Sequence, residues 1–214
     1  MYKRQAQHHL PGADAATTEH ALDDLAHAAA ERVQSDRPAA LLAHVHAVLF
    51  DEARFTGPAD DYYPPNHSLL PRVLETRRGL PLTLVLVYKA VVERLGLPVS
   101  GVNAPGHFLA AVYGADAETM AGVRDADAPP ARTLIDPFHG GRVLTNDDAF
   151  GLVERVAGGA VAHHEALLAN ATHRQWLARL IQNLITAADR RGHTDDLAAM
   201  LELRTLVGHG QPGA

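Results

Sequence analysis

Gly79-Leu80-Pro81-Leu82-Thr83-Leu84-Val85-Leu86-Val87-Tyr88-Lys89-Ala90-Val91-Val92-Glu93-Arg94-Leu95-Gly96-Leu97-Pro98 is the stretch on which the fold turns. From Thr83 to Leu95 it is apolar nearly all round, and its β-branched content alone would suit a strand. Its length, the placement of Lys89 and Glu93-Arg94, and the stop at Gly96-Leu97-Pro98 predict instead a helix buried in the core.

Upstream of it the chain reads as helical. Residues 1–16 read as a loose arm with little to bury. Thr17-Thr18-Glu19 predicts the start of a helix running to about Gln34, with Leu22, Leu25, Ala29 and Val33 near helical spacing. Ser35-Asp36-Arg37-Pro38 breaks it. Asp36 lies where a cap could sit, and Pro38 fits the first turn of a second helix carrying Leu41, Leu42, Val45, Val48 and Leu49. Phe55 to Asn66 reads as a loop anchored by Tyr62-Tyr63-Pro64-Pro65. A short helical stretch from Ser68 ends in Arg77-Arg78-Gly79, a pattern suited to a helix C-terminus.

Downstream the pattern turns strand-like. Val99 to Val102, His107 to Tyr113 and Arg132 to Pro137 read as strands, with an acidic, Pro-rich connection over Asp116 to Arg132. Gly140-Gly141 turns the chain into Arg142-Val143-Leu144. Helices first and antiparallel strands after them give an α+β pattern rather than alternating βαβ units. Residues 173–190 and 194–206 read as a helical hairpin, with Trp176, Leu177, Leu180, Ile181 and Leu184 facing Leu197, Met200, Leu201 and Leu203. It is similar to one tetratricopeptide unit, and one unit is no array. The organisation expected is an arm over 1–16, a main domain over 17–160 and a C-terminal hairpin over 165–207.

Bulk composition narrows the function. The chain has 214 residues, enough for a sizeable core, and a formal net charge of −6, which argues against a phosphate-backbone (nucleic-acid) partner. It contains no cysteine, which excludes disulfides, thiolate metal sites and thiol catalysis. No apolar run approaches the roughly 20 residues that cross a bilayer, and Met1 to Asp14 has no apolar signal core. A soluble cytoplasmic protein without a membrane partner is expected.

Several motifs now stand in order. They are Val48-Leu49-Phe50-Asp51-Glu52, Tyr62-Tyr63-Pro64-Pro65-Asn66-His67-Ser68-Leu69-Leu70, Val73-Leu74-Glu75-Thr76-Arg77-Arg78-Gly79-Leu80-Pro81-Leu82-Thr83-Leu84, Pro105-Gly106-His107-Phe108-Leu109, and Ile135-Asp136-Pro137-Phe138 with Gly140-Gly141. Together they resemble the SirB-type transglutaminase-like proteins of bacteria, which often carry a helical repeat-like tail. The resemblance implies a papain-like α+β fold with a central buried helix packed on an antiparallel sheet. It also implies a helix-borne cysteine, a strand-borne histidine and a strand-borne aspartate working as an acyl-transfer triad. His107 and Asp136 match the last two. The cysteine position falls at about Pro81, which supplies neither a nucleophile nor an N–H donor.

Each candidate has a plainer reading beside the functional one. His107 and Asp136 either face a cleft or only brace two strands; if paired, the carboxylate fixes the imidazole tautomer. Thr83 and Ser68 are the nearest hydroxyls, and Thr83 reads as a capping or packing residue. Asn66 either caps the helix near Ser68 or points an amide into the cleft. Arg77 and Arg78 either meet a carboxylate or phosphate at the helix start or stay solvated. Tyr62 and Tyr63 either line the cleft mouth or anchor their loop. The chain has 14 histidines, but without a His-Glu-x-x-His pattern or a carboxylate cluster neither a metal site nor a cofactor is expected.

Two functions follow. One is a non-catalytic protein that keeps the residual cleft to bind a peptide, a protein side chain or a small ligand. The other is a hydrolase of altered mechanism, in which a His107–Asp136 pair activates water on an amide or ester while Asn66 or a backbone N–H holds the oxyanion. A scaffold with an empty cleft, binding through its tail, is the blandest outcome.

Overall fold

The computed structural model describes residues 14–35, 37–58, 65–114 and 132–209. Among them are α1 (Ala15–Ala30), α2 (Pro38–His46), α3 (Leu70–Thr76), α4 (Pro81–Arg94), α5 (Asn146–Ala157), α6 (His173–Arg191) and α7 (Thr194–His209). The strands are β1 (Val99–Val102), β2 (Leu109–Tyr113), β3 (Arg132–Asp136) and β4 (Arg142–Leu144). They form one four-stranded sheet in the order β1-β2-β3-β4, every neighbour antiparallel. The α+β expectation holds.

α4 is the predicted central helix. Pro81 occupies its first turn, where a missing N–H costs nothing, and Leu80 is the extended residue before it. Leu82, Leu84, Val85, Val87, Tyr88, Val91 and Val92 are all buried, so the helix is covered on nearly every side. It packs against β1 and β2 on one flank and α1 on another.

The sheet is buried on both faces, which explains why Leu109 to Val112 is an unbroken apolar run. Alternate residues point to opposite faces. Ala110, Val112 and Ile135 join the core around α4, while Leu109, Ala111, Leu134 and Leu144 join a second core with Ala149, Phe150 and Val153 of α5.

Several boundaries differ from those read in the sequence. α1 starts two residues earlier, because the Asp14 carboxylate accepts from the Ala16 and Thr17 N–H groups and caps it; Thr17 and Thr18 lie inside. It also stops at Ala30, so Val33 is outside it. Asp36 lies outside the described residues, and the residue before α2 is Arg37, which makes no side-chain cap. After His46 the backbone widens into a π-turn over Ala47–Glu52, still burying Val48 and Leu49. β2 begins only at Leu109, leaving His107 in the turn ahead of it. The acidic connection over 115–131 and Tyr62-Tyr63 are outside the described residues.

α5 is absent from the sequence reading altogether. It opens on a reciprocal capping box, Thr145 with Asp148, and ends on Gly158 at φ +73°. The C-terminal hairpin is present as α6 and α7, opened by a second capping box, Thr172 with Gln175. Leu201 is 36% exposed, whereas Met200 is buried. The hairpin is not held apart from the rest: Trp176, Leu180, Ile181, Leu184 and Met200 share one core cluster with α4. Trp176 stands edge-on to Phe108 with ring centroids 4.5 Å apart. No helix among the described residues is long and apolar enough to cross a membrane.

Candidate functional site

Asp136 ends β3 and is 1% exposed. It also caps the 3-10 turn Pro137–His139, its Oδ1 accepting from the Phe138 and His139 N–H groups at 3.1 and 3.3 Å. Pro137, next in the chain, has no N–H to satisfy. The carboxylate is therefore fixed by its own backbone before any partner arrives.

His107 is brought to it by a turn in which the His107 N–H donates to the Ala104 carbonyl at 3.1 Å. Gly106 makes that turn possible. Its φ is +72°, and a Cβ there would stand 2.1 Å from Val156 Cγ1 of α5. His107 Nε2 lies 3.0 Å from both Asp136 oxygens, and its ring stands edge-on to Phe138. The 3-10 turn, with nearly eclipsed i and i+3 side chains, adds a second imidazole: His139 Nδ1 lies 2.7 Å from Asp136 Oδ2. Burial would raise the Asp136 carboxyl, but the hydrogen bonds and charges of His107 and His139 outweigh it and hold the group below the usual carboxylate value.

A pocket of about 310 Å³ opens beside this pair. It is lined by His107, Asp136 and His139, by Arg142 and Leu144 of β4, and by Leu152, Arg155 and Val156 of α5. Arg142 also pairs with Asp148 at 3.1 Å. Another pocket, of about 370 Å³, lies between α4, β1 and α6 around Leu86, Gly101 and Trp176, but it is mostly apolar and carries no comparable chemistry.

Of the remaining sequence candidates, those among the described residues do not line the His107–Asp136 pocket. Pro81 is buried at the start of α4, a helix that packs against the 3-10 turn Pro137–His139. Thr83 and Ser68 are buried, and their hydroxyls have no hydrogen-bond partner among the described residues. Asn66 is exposed within a 3-10 turn, Pro65–Ser68, and does not cap α3, whose N-terminal flank is Leu69. Arg77 adopts a left-handed backbone, φ +61°, and lays its guanidinium 4.8 Å over the Phe55 ring. Burial lowers its pKa. Arg78 is exposed. Tyr63 is outside the described residues.

Three site residues escaped the sequence reading. His139 was readable, since it lies three positions after Asp136, beyond a Pro that starts a turn. Arg155 was not, because only the packing of α5 on the sheet brings it to the pocket, and Arg142 follows only once the β3–β4 register sets it opposite Asp136.

The Transglutaminase-like superfamily model matches residues 16–182. A UPF0162 protein of Xylella fastidiosa (strain 9a5c) is 38% identical over 179 residues, covering 81% of this chain and 58% of that protein. A UPF0162 protein of Pseudomonas aeruginosa is 34% identical over 157 residues, 72% of this chain and 51% of the relative. The F-box only protein 21 of Mus musculus is 31% identical over 154 residues, 71% of this chain and 22% of that protein. The chain thus spans about half the length of the UPF0162 relatives. No solved structure matches. With a family match over residues 16–182 and a buried helix packed on an antiparallel sheet, the protein belongs to the transglutaminase-like superfamily.

Proposed function

We propose that this chain is a SirB-type transglutaminase-like protein that binds, rather than acylates, its ligand, and that the pocket beside His107 and Asp136 receives an anionic group of a peptide or small molecule. The observation that carries the reading is the lining of that pocket. One buried carboxylate is already engaged by two imidazoles, and Arg142 and Arg155 are among the other residues that line the pocket. Guanidinium forks suit a carboxylate or phosphate. The absence of any cysteine removes the covalent acyl intermediate, and Pro81 stands where the fold would carry the thiol. The α6–α7 hairpin, tetratricopeptide-like in form, offers a second surface for a protein partner.

Calorimetric titration of the metal-free protein with the peptide acetyl-Ala-Ala-Glu tests this. Saturable binding, weakened at least about tenfold in an Arg142→Gln/Arg155→Gln variant, is expected. Binding equal in both proteins, or none in the wild type, overturns it.

A second reading draws on the same pair. With Nε2 of His107 held by both oxygens of Asp136, Nδ1 is the nitrogen left to act as a general base toward water. Hydrolysis of p-nitrophenyl acetate that disappears in a folded His107→Ala variant supports this altered hydrolase. Equal residual activity in that variant removes it.

A further inference from the structure

We propose that His107, Asp136 and His139 form a binding site for a first-row divalent transition metal, zinc foremost, with its open side toward the pocket. The three donor atoms, His107 Nε2, an Asp136 carboxylate oxygen and His139 Nδ1, all lie within 4.8 Å of one another. Bonds of about 2.0–2.2 Å in a near-tetrahedral arrangement place donors about 3.3 Å apart. Two edges of the triangle, 3.0 Å from His107 to Asp136 and 2.7 Å from His139 to Asp136, are already close to that. The third edge closes by movement of His139, whose side chain is 53% exposed, with the Phe138 ring edge-on to it at 5.0 Å between centroids.

The donor set selects the metal class. Two imidazoles and one carboxylate suit zinc, cobalt, nickel or ferrous iron; calcium and magnesium prefer all-oxygen shells. The surroundings supply what a metal site needs beyond its ligands. The Phe138 and His139 backbone N–H groups hold Oδ1 and orient the carboxylate, so Oδ2 can serve as the metal-facing oxygen. Asp136 and His107 are anchored in the core, at 1% and 7% exposure, so two of the three ligands are preorganised. The pocket leaves a fourth position for water or an exogenous group, as in three-ligand sites that stay open. Without metal, the same groups satisfy one another as a carboxylate shared by two imidazole N–H donors, so the fold does not require the ion. The proposal is independent of the anionic-ligand reading, since the guanidiniums of Arg142 and Arg155 are not among the donors.

The test is a zinc chloride titration by calorimetry on the full, tag-free chain after chelator treatment, with Co²⁺ absorption as the site-specific readout. The variants are His139→Gln, which alters an exposed ligand without disturbing the core, and His163→Gln as a control elsewhere on the surface. Binding of one ion per chain is expected, with ligand-field bands of Co²⁺ in the visible. His139→Gln weakens zinc at least tenfold and abolishes those bands, while His163→Gln leaves both unchanged. Equal zinc affinity in wild type and His139→Gln would place the ion on other histidines of the 14 and overturn the proposal, as would no binding at all. Failure of the peptide titration leaves this outcome untouched, and failure here leaves that one untouched.

Discussion

Both carboxylate oxygens of Asp136 lie 3.0 Å from Nε2 of His107, although 29 residues separate the two in the chain. The pair is buried, and its aspartate is fixed by two backbone N–H groups of the following turn. Such a pair is oriented before any ligand arrives, which distinguishes it from a surface ion pair.

Replacing Asp136 by Asn removes the charge while keeping the volume. It leaves one buried imidazole, His107, and one exposed imidazole, His139, facing an amide that cannot accept from all of its present donors. A loss of about 2–3 kcal/mol is expected from urea unfolding at neutral pH. A variant as stable as the wild type would show that the pair does not hold the turn.

Gly106→Ala meets two obstacles at once, a positive φ and the Val156 side chain. We expect a loss of about 2 kcal/mol or more, of which Val156→Ala recovers only part, because the backbone strain of about 1 kcal/mol stays. A double-mutant cycle by chemical denaturation measures the coupling. Additive effects would contradict the close approach.

His46 donates or accepts a hydrogen bond with Tyr88 Oη at 2.9 Å, and burial pushes its pKa below the ordinary value of 6.5, opposed weakly by Asp51. A lowered folded-state value means that protonation favours the unfolded chain. This contribution to stability is complete above about pH 6.5 and declines as the pH falls through the folded-state value. Urea midpoints measured from pH 7.5 downwards should therefore drop less steeply in His46→Gln than in the wild type. Parallel curves would exclude the residue as a source of acid sensitivity.

Trp176 fills the space above Gly101, where a Cβ would stand 2.3 Å from its ring. Trp176→Ala should cost about 3–5 kcal/mol, as large-to-small changes in a core do. Because α6 shares its core with α4, the protein should still unfold in one transition by circular dichroism and tryptophan-independent probes alike. A separate, early melting of the hairpin would argue that it is an appendage.

A cysteine placed at Pro81 would be the only thiol in the chain, so its reactivity can be read directly. Pro81 is buried, whereas Val156 is 58% exposed. Alkylation of Pro81→Cys should be at least about tenfold slower than that of Val156→Cys. Comparable rates would mean that the start of α4 opens to solvent after all.

The sequence by itself determined the large elements and the dyad. The apolar stretch after Gly79, closed by Gly96-Leu97-Pro98, could only be buried, and the strand-like runs after it had to cover it. The family resemblance carried by Pro105-Gly106-His107 and Asp136-Pro137 named the pair, and the missing cysteine named the chemistry that is excluded. What the sequence could not carry was anything set by packing between distant segments. Arg77 reads as a ligand-binding cation until Phe55, brought up from another loop, takes its guanidinium. α5 went unread although Thr145 and Asp148 signal its start, because its apolar face, Ala149, Phe150 and Val153, is short and has meaning only against the outer face of the sheet. That same docking adds Leu152, Arg155 and Val156 to the lining of the pocket beside His107 and Asp136. Local physics decides helix, turn and cap within a few residues of one another; a cavity is the space left between elements, and only the tertiary structure decides where that space lies and which side chains border it.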